Sequence, residues 1–307
     1  ARFGGVVALL VLLHLAAGVA TPRHPSLTTS LHAAGTAVLG AGIFLSGQIF
    51  HLAAHWPTAF LLWAMGAALA LAMLRDWPHT LWVATLVPLW LWAEWMHRAE
   101  VVQPPYTEVV ALGVGFTALG AAYLSATSHA LRSAWRRALS ALGAVVLFPA
   151  AWGLVGVGLW RAEAEATQGS WAAPALVWTL AITIPLALAV ALRRREAWPV
   201  VVAAALAYTV TRLDTSQTPH ELLSYVTYAI ASIGLILWGL RDREPLRVNL
   251  GVAGFALTLL WFYFGNLFDM LGRAFGLIGL GVVFIGGGWW LERARRSLVK
   301  RIGGTPG

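Results

Sequence analysis

The chain contains no cysteine. That excludes disulfides, thiolate metal ligands and a cysteine nucleophile. Charge is scarce too. Only 11% of the 307 residues are Asp, Glu, Lys or Arg, against roughly 25% in ordinary soluble domains. A soluble chain that is 59% hydrophobic would lack the polar surface to cover its core. A bilayer removes that need, because lipid replaces water around the outer face. No Gly-x-Ser-x-Gly elbow or phosphate-cradling Gly-x-x-x-x-Gly-Lys loop occurs, so the local signatures of an α/β hydrolase and a nucleotide-binding loop are missing. The glycine-rich run near Gly276 follows no strand and is not a dinucleotide-binding turn.

Apolar stretches fill the chain instead. About 20 apolar residues cross the roughly 30 Å hydrocarbon core as a helix. Eleven such spans are expected, near 4–20, 31–53, 57–74, 80–96, 107–125, 138–160, 172–192, 197–211, 221–240, 248–266 and 274–291. The eighth is short. The fold class is therefore an all-α, polytopic transmembrane bundle of eleven helices in a single domain over 1–307. Seventeen tryptophans fit the same class, since indole favours the headgroup region. Pro88, Pro149 and Pro185 fall within spans and are expected to kink them. Glycines line the second span (Gly35, Gly40, Gly42, Gly47) and the last (Gly276, Gly279, Gly281, Gly286, Gly287, Gly288). Both helices are expected to pack closely against neighbours. The chain opens on Ala1 rather than Met, which allows for a preceding segment, and no short apolar core with a cleavage site marks a secretory signal.

Charge sets the expected orientation. Sorting the loops alternately places 16 of the 21 Lys and Arg on one side: Arg23, Arg75, Arg132, Arg136, Arg137, Arg193, Arg194, Arg195, Arg241, Arg243, Arg247, Arg293, Arg295, Arg296, Lys300 and Arg301. Short loops rich in Lys and Arg stay in the cytoplasm. The C-terminus is thus expected inside and the N-terminus outside, in a bacterial inner membrane. This also accounts for the net charge of +8 without nucleic acid. Ser128–Arg137 and the tail Leu291–Ile302 read as amphipathic basic segments lying on anionic headgroups. The expected partners are membrane lipids, together with other membrane proteins or further copies of the chain.

A six-residue pattern recurs. Gly47-Gln48-Ile49-Phe50-His51-Leu52 ends the second span and Gly265-Asn266-Leu267-Phe268-Asp269-Met270 ends the tenth. The same offset aligns His55 with Arg273. Each helix then carries polar groups at i, i+3 and i+7 on one face. This suggests a weak parallel repeat relating 31–74 and 248–291, and such repeats in transporters flank the binding site. The alternative is that both helices end in polar groups at the membrane surface. Glu94, His97 and Arg98 close the fourth span on the same side, with Glu108, Arg212, Asp214 and Glu221 nearby in topology. Glu94 sits among tryptophans and is read as a proton or cation group, or as an i+4 partner of Arg98. The candidate binding set is Gln48, His51, His55, Glu94, Asn266, Asp269 and Arg273. His51 and His55 have zinc-ligand spacing, but no glutamate lies between them and no third ligand is near in sequence. No metal or cofactor is expected. His14 reads as a satisfied core residue.

The block Gly40-Ala-Gly-Ile-Phe-Leu-Ser-Gly-Gln-Ile-Phe-His51, followed by Phe60-Leu-Leu-Trp-Ala64, resembles a widespread bacterial family of predicted membrane proteins, the domain of unknown function of the twenty-one fifty-seven type. Arg247-Val-Asn-Leu-Gly251, Arg273-Ala-Phe-Gly-Leu-Ile-Gly-Leu-Gly281 and Leu291-Glu-Arg-Ala-Arg-Arg296 resemble it too. The soluble segment that usually precedes the first span in that family is not in this sequence. The resemblance implies a membrane protein in which the second helix is a family feature, and it supplies no catalytic residues. The leading functional expectation is a transporter or permease for a small polar or anionic solute. The alternative is a non-catalytic scaffold or accessory subunit. An enzyme acting on lipid-linked substrates ranks third.

With no native thiol, single-cysteine variants test the orientation cleanly. In intact cells, Glu100→Cys should react with a membrane-impermeant maleimide and Arg194→Cys only after permeabilisation. The reverse pattern overturns the assignment.

Overall fold

The computed structural model describes residues 2–20, 24–50, 55–101, 106–164, 174–213 and 218–264, with scattered positions from 278 to 296. Ten α-helices fill the continuous segments: α1 (Arg2–Ala20), α2 (Pro25–Ile49), α3 (Pro57–Leu74), α4 (Trp77–Val101), α5 (Tyr106–Leu124), α6 (Ala134–Ala164), α7 (Pro174–Arg193), α8 (Trp198–Arg212), α9 (Thr218–Asp242) and α10 (Pro245–Phe262). Proline occupies the first turn of α2, α3, α8 and α10, where its fixed φ suits a helix and its missing N–H costs nothing. Among the described residues there is no strand, only an isolated bridge between Ser128 and Leu131. That turn stands where the sequence suggested an amphipathic segment over 128–137. The backbone N–H of His129 is drawn to the carbonyl of Asp242 at 3.0 Å, and helix begins only at Ala134.

Among the described residues, eight helices are long and apolar enough to cross a membrane. The other two are α4, which carries five tryptophans, and α8, whose 15 residues rise only about 22 Å. The helices run on through Pro88, Pro149 and Pro185. Among the described residues, the three non-glycine residues with positive φ are all arginines, Arg75, Arg194 and Arg243. They follow the ends of α3, α7 and α9. A left-handed residue there closes a helix, at a steric cost that glycine would not incur.

The chain divides into two compact units, residues 1–104 with 133–139, and residues 105–132 with 140–307. In the first, α2 touches α1, α3 and α4, and α3 pairs with α4. Gly35 and Gly40 behave as expected. A Cβ at Gly35 would lie 2.6 Å from the His14 ring, and one at Gly40 would lie 2.3 Å from the Trp63 ring. Ala64, Ala67 and Leu86 form the core with Phe60, Trp63 and Trp82 around it.

In the second unit α5 is the central helix. Its membrane-length window is 72% buried, against at most 28% for any other span. Small residues let neighbours close on it. A Cβ at Gly115 would strike Ala181, and one at Gly120 the backbone of Leu147. Gly239 and Gly251 bring α9 and α10 together in the same way. The glycines expected to pack in the last span do not, where they are described. A Cβ at Gly281, Gly286 or Gly288 would meet open space. The residues 265–277 and the tail after 296 lie outside the described residues, as does half of the suggested repeat.

One end of this unit is closed by an arginine–aspartate knot. Arg193 ends α7, Asp242 ends α9, and Arg247 stands in the first turn of α10. One oxygen of Asp242 accepts from Arg193 Nη2 at 2.7 Å, from Trp238 Nε1 at 3.0 Å and from Arg247 Nη1. Arg247 also donates to the carbonyls of Leu124 and Thr127, and Arg193 to that of Thr127. These carbonyls at the end of α5 have no further turn of helix to bond. Arg247 is fully buried, with its guanidinium 4.0 Å above the Trp238 ring.

Asp242→Ala leaves two buried guanidiniums without their carboxylate, and it should cost about 3–5 kcal/mol. Arg132→Ala removes a half-exposed partner of Glu244 and should cost less than about 1 kcal/mol. Thermal unfolding in detergent compares the two, and equal midpoints refute the role given to Asp242.

Candidate functional site

Seven of the nine histidines lie within residues 1–104: His14, His24, His32, His51, His55, His79 and His97. The first unit is thus the titratable one, and its polar side chains gather at two levels.

The buried level is built on the start of α4. Asp76 caps that helix, with its Oδ1 accepting the backbone N–H of His79 at 3.1 Å, as a capping aspartate does. The same oxygen lies 2.6 Å from His79 Nδ1. His79 has no solvent exposure. Its other nitrogen, Nε2, lies 2.9 Å from Thr36 Oγ1 on α2. Thr36 Oγ1 also reaches the carbonyl of His32 at 3.3 Å. The ring of His32 meets His14 across α1, with their Nδ1 atoms 2.9 Å apart. A ring-to-ring contact of this kind holds one proton between two nitrogens. His14, read from the sequence as a satisfied core residue, is one half of this pair.

The chemistry at His79 follows from the partners. With Asp76 as acceptor, Nδ1 carries the proton, and neutral Nε2 accepts from the Thr36 hydroxyl. When Nε2 gains a proton it donates to Thr36 Oγ1, and the hydroxyl hydrogen turns to the carbonyl of His32. Both charge states are fully hydrogen-bonded, and a single hydroxyl rotation separates them.

The second level lies about 22 Å further along α4, 15 residues on at 1.5 Å each. Glu94 Oε2 is 3.2 Å from His55 Nε2, and Glu94 Oε1 accepts from Trp90 Nε1 at 2.9 Å. His55 Nδ1 lies 2.9 Å from Thr58 Oγ1. His97 sets its ring edge-on to that of His55, centroids 4.7 Å apart. This is the same order of groups as below, carboxylate, imidazole, threonine, with the two ring nitrogens exchanged. Here the groups are partly exposed, His55 at 45% and Glu94 at 32%. Between the levels lie the rings of Trp63 and Trp82, 5.1 Å apart and tilted at 42°, with Phe44 edge-on to Trp63 and to Phe60. Trp63 Nε1 donates to the carbonyl of Thr36 at 2.8 Å, which ties the aromatic layer to the buried level.

Of the candidate set, the structure brings His55 and Glu94 into contact. Glu94 contacts His55 and Trp90. Gln48 is exposed near the end of α2. His51, Asn266, Asp269 and Arg273 lie outside the described residues. Glu108 and Arg212 belong to the second unit. Glu108 is buried on α5, and Arg212 covers the Tyr208 ring at 4.7 Å. Asp76, His79, Thr36 and the His14–His32 pair were missed. The spacing Asp76-x-x-His79 was the available signal, being that of a capping residue and its N3 partner. Among the described residues, no three His, Cys, Asp or Glu side chains are placed to hold a metal ion.

The fold defines a polytopic helical membrane protein. The family model described as Predicted membrane protein (DUF2157) matches residues 1–80, the segment that holds α1 to α3, Asp76 and His79. No curated protein and no solved structure matches the chain.

Thr36→Val keeps the shape of the side chain and removes the partner of a fully buried imidazole nitrogen. It should destabilise the protein by about 1–3 kcal/mol. Thr58→Val, at the open level, should have little effect. Thermal midpoints that fall equally for both contradict the difference in burial.

Proposed function

We propose that this protein is a proton-coupled permease for a small polar or anionic solute, with its proton sites in the first unit. One observation carries the reading: a carboxylate–imidazole–threonine chain at each of two levels of the same four helices. Ionisable groups inside membrane helices are costly to keep, and in transport proteins they serve as proton relays. Histidine is the side chain whose charge changes near neutral pH. His79 has its hydrogen bonds ready in either state. His55 and Glu94 stand where water reaches them and exchange protons with the adjoining solution. The layer of Trp63 and Trp82 is then the barrier that moves between the two exposures, with Gln48 beside the open level as a solute contact.

The test is reconstitution of the full chain in liposomes carrying a lumenal pH dye, with an imposed acid gradient and a panel of amino acids, organic anions and phosphate. Wild type should show solute-dependent proton entry. Glu94→Gln and His79→Gln should each reduce the rate by about tenfold or more, as loss of a positioned proton-transfer group does. Wild-type liposomes that move no protons with any solute, or variants as fast as wild type, reject the proposal.

A further inference from the structure

The second unit contains a cleft that the proton chemistry does not use. Its volume is about 230 Å³, and it lies among α5, α6, α8, α9 and α10. Four of the five side-chain hydroxyls on its wall are engaged with backbone carbonyls. Thr117 donates to Gly113 O, Thr227 to Leu223 O, Tyr228 to Ala151 O and Thr258 to Gly254 O. A small polar solute would find little here to bond.

Along α9 the cleft runs from Trp238 to Tyr228, ten residues or about 15 Å. That is half of the roughly 30 Å hydrocarbon core, the depth of one leaflet. Its Trp238 end is strongly basic. The loops there carry Arg132, Arg193, Arg194, Arg195, Arg241, Arg243 and Arg247 against Glu196, Asp242 and Glu244. Arg193 and Arg247 are spent inside the knot. Arg241 is exposed and lies 5.6 Å over the ring of Trp198, a lining residue of the cleft. Its carboxylate contact is a 3.8 Å approach to the equally exposed Glu196, which is weak and replaceable.

We infer that this cleft holds one acyl chain of an anionic phospholipid, with the headgroup phosphate on Arg241. The apolar wall takes the methylenes, the leaflet depth sets the chain length accommodated, and the basic rim selects the charge. Trp198 seats the glycerol region, where indole is favoured.

Two substitutions separate chain from headgroup. Gly234 lines the cleft, and a Cβ there would meet nothing within 4 Å. Gly234→Leu therefore fills the cleft without a clash. Arg241→Gln alters only the rim. The full chain, delipidated in detergent, is titrated with phosphatidylglycerol, phosphatidylcholine or glycerol 3-phosphate, and bound species are counted by native mass spectrometry. Wild type should retain one phosphatidylglycerol, preferred over phosphatidylcholine by about fivefold, the weight of one surface arginine on an anionic headgroup. Arg241→Gln should abolish the preference while still retaining lipid. Gly234→Leu should lose both lipids. Retention unchanged in Gly234→Leu, no preference in wild type, or glycerol 3-phosphate competing as well as the lipid would each overturn the inference. The last would mark an ion site, and the first a cleft occupied by something other than lipid.

Discussion

The last carbonyls of a helix that ends buried in protein cannot fall back on water. The end of α5 meets that constraint with guanidinium groups. Leu124 and Thr127 offer their carbonyls, Arg193 and Arg247 supply the donors, and Asp242 balances the two positive charges from the end of α9. The arrangement needs three helix ends at one place, so it ties α7, α9 and α10 to the central helix. The close approaches at Gly115, Gly120, Gly239 and Gly251 work to the same end. Among membrane helices the drive to associate comes from packing and hydrogen bonds, since lipid is as apolar as the helix faces. Loss of the knot would leave charge, not merely a gap.

The two units keep different chemistry. Arginine does not release its proton at any ordinary pH, so the buried guanidiniums of Arg193 and Arg247 in the second unit keep their charge. They brace helices and attract anions. The interior of the first unit is built on histidine, which does change charge. The His14–His32 pair and His79 sit where helices cross, each with a partner able to accept or donate. The division rests on side-chain type alone.

Helix number and position were legible because a membrane helix must be apolar over most of its length, and that leaves a direct trace in the sequence. Proline in the first turn of α2, α3, α8 and α10 and arginine after α3, α7 and α9 mark the helix boundaries in the structure. The knot was half visible. Arg193 and Arg247 were noted as basic loop residues, but a lone Asp242 beside Arg241 and Arg243 reads as loop charge until the fold brings Arg193 to it from 49 residues away. Small-residue packing was expected in α2, where Gly35 and Gly40 do admit His14 and Trp63. In the last span, glycine frequency was mistaken for contact. The site divides in the same way. Glu94 stood out because a carboxylate among tryptophans is rare. Thr36 did not, because a threonine inside an apolar helix ordinarily bonds its own backbone, as Thr117, Thr227 and Thr258 do.

The unequal exposure of the two acid–imidazole–threonine chains is the most informative asymmetry of the first unit. His55 and Glu94 are partly exposed, while His79 has no exposure. The bond from Trp63 Nε1 to the carbonyl of Thr36 ties the aromatic layer to the buried level. Trp63 lies over Gly40, where a side chain larger than hydrogen would collide with it. To move, it must give up a hydrogen bond to the same residue whose hydroxyl meets His79. One residue, Thr36, thus joins the aromatic layer to the buried imidazole through its carbonyl on one side and its hydroxyl on the other.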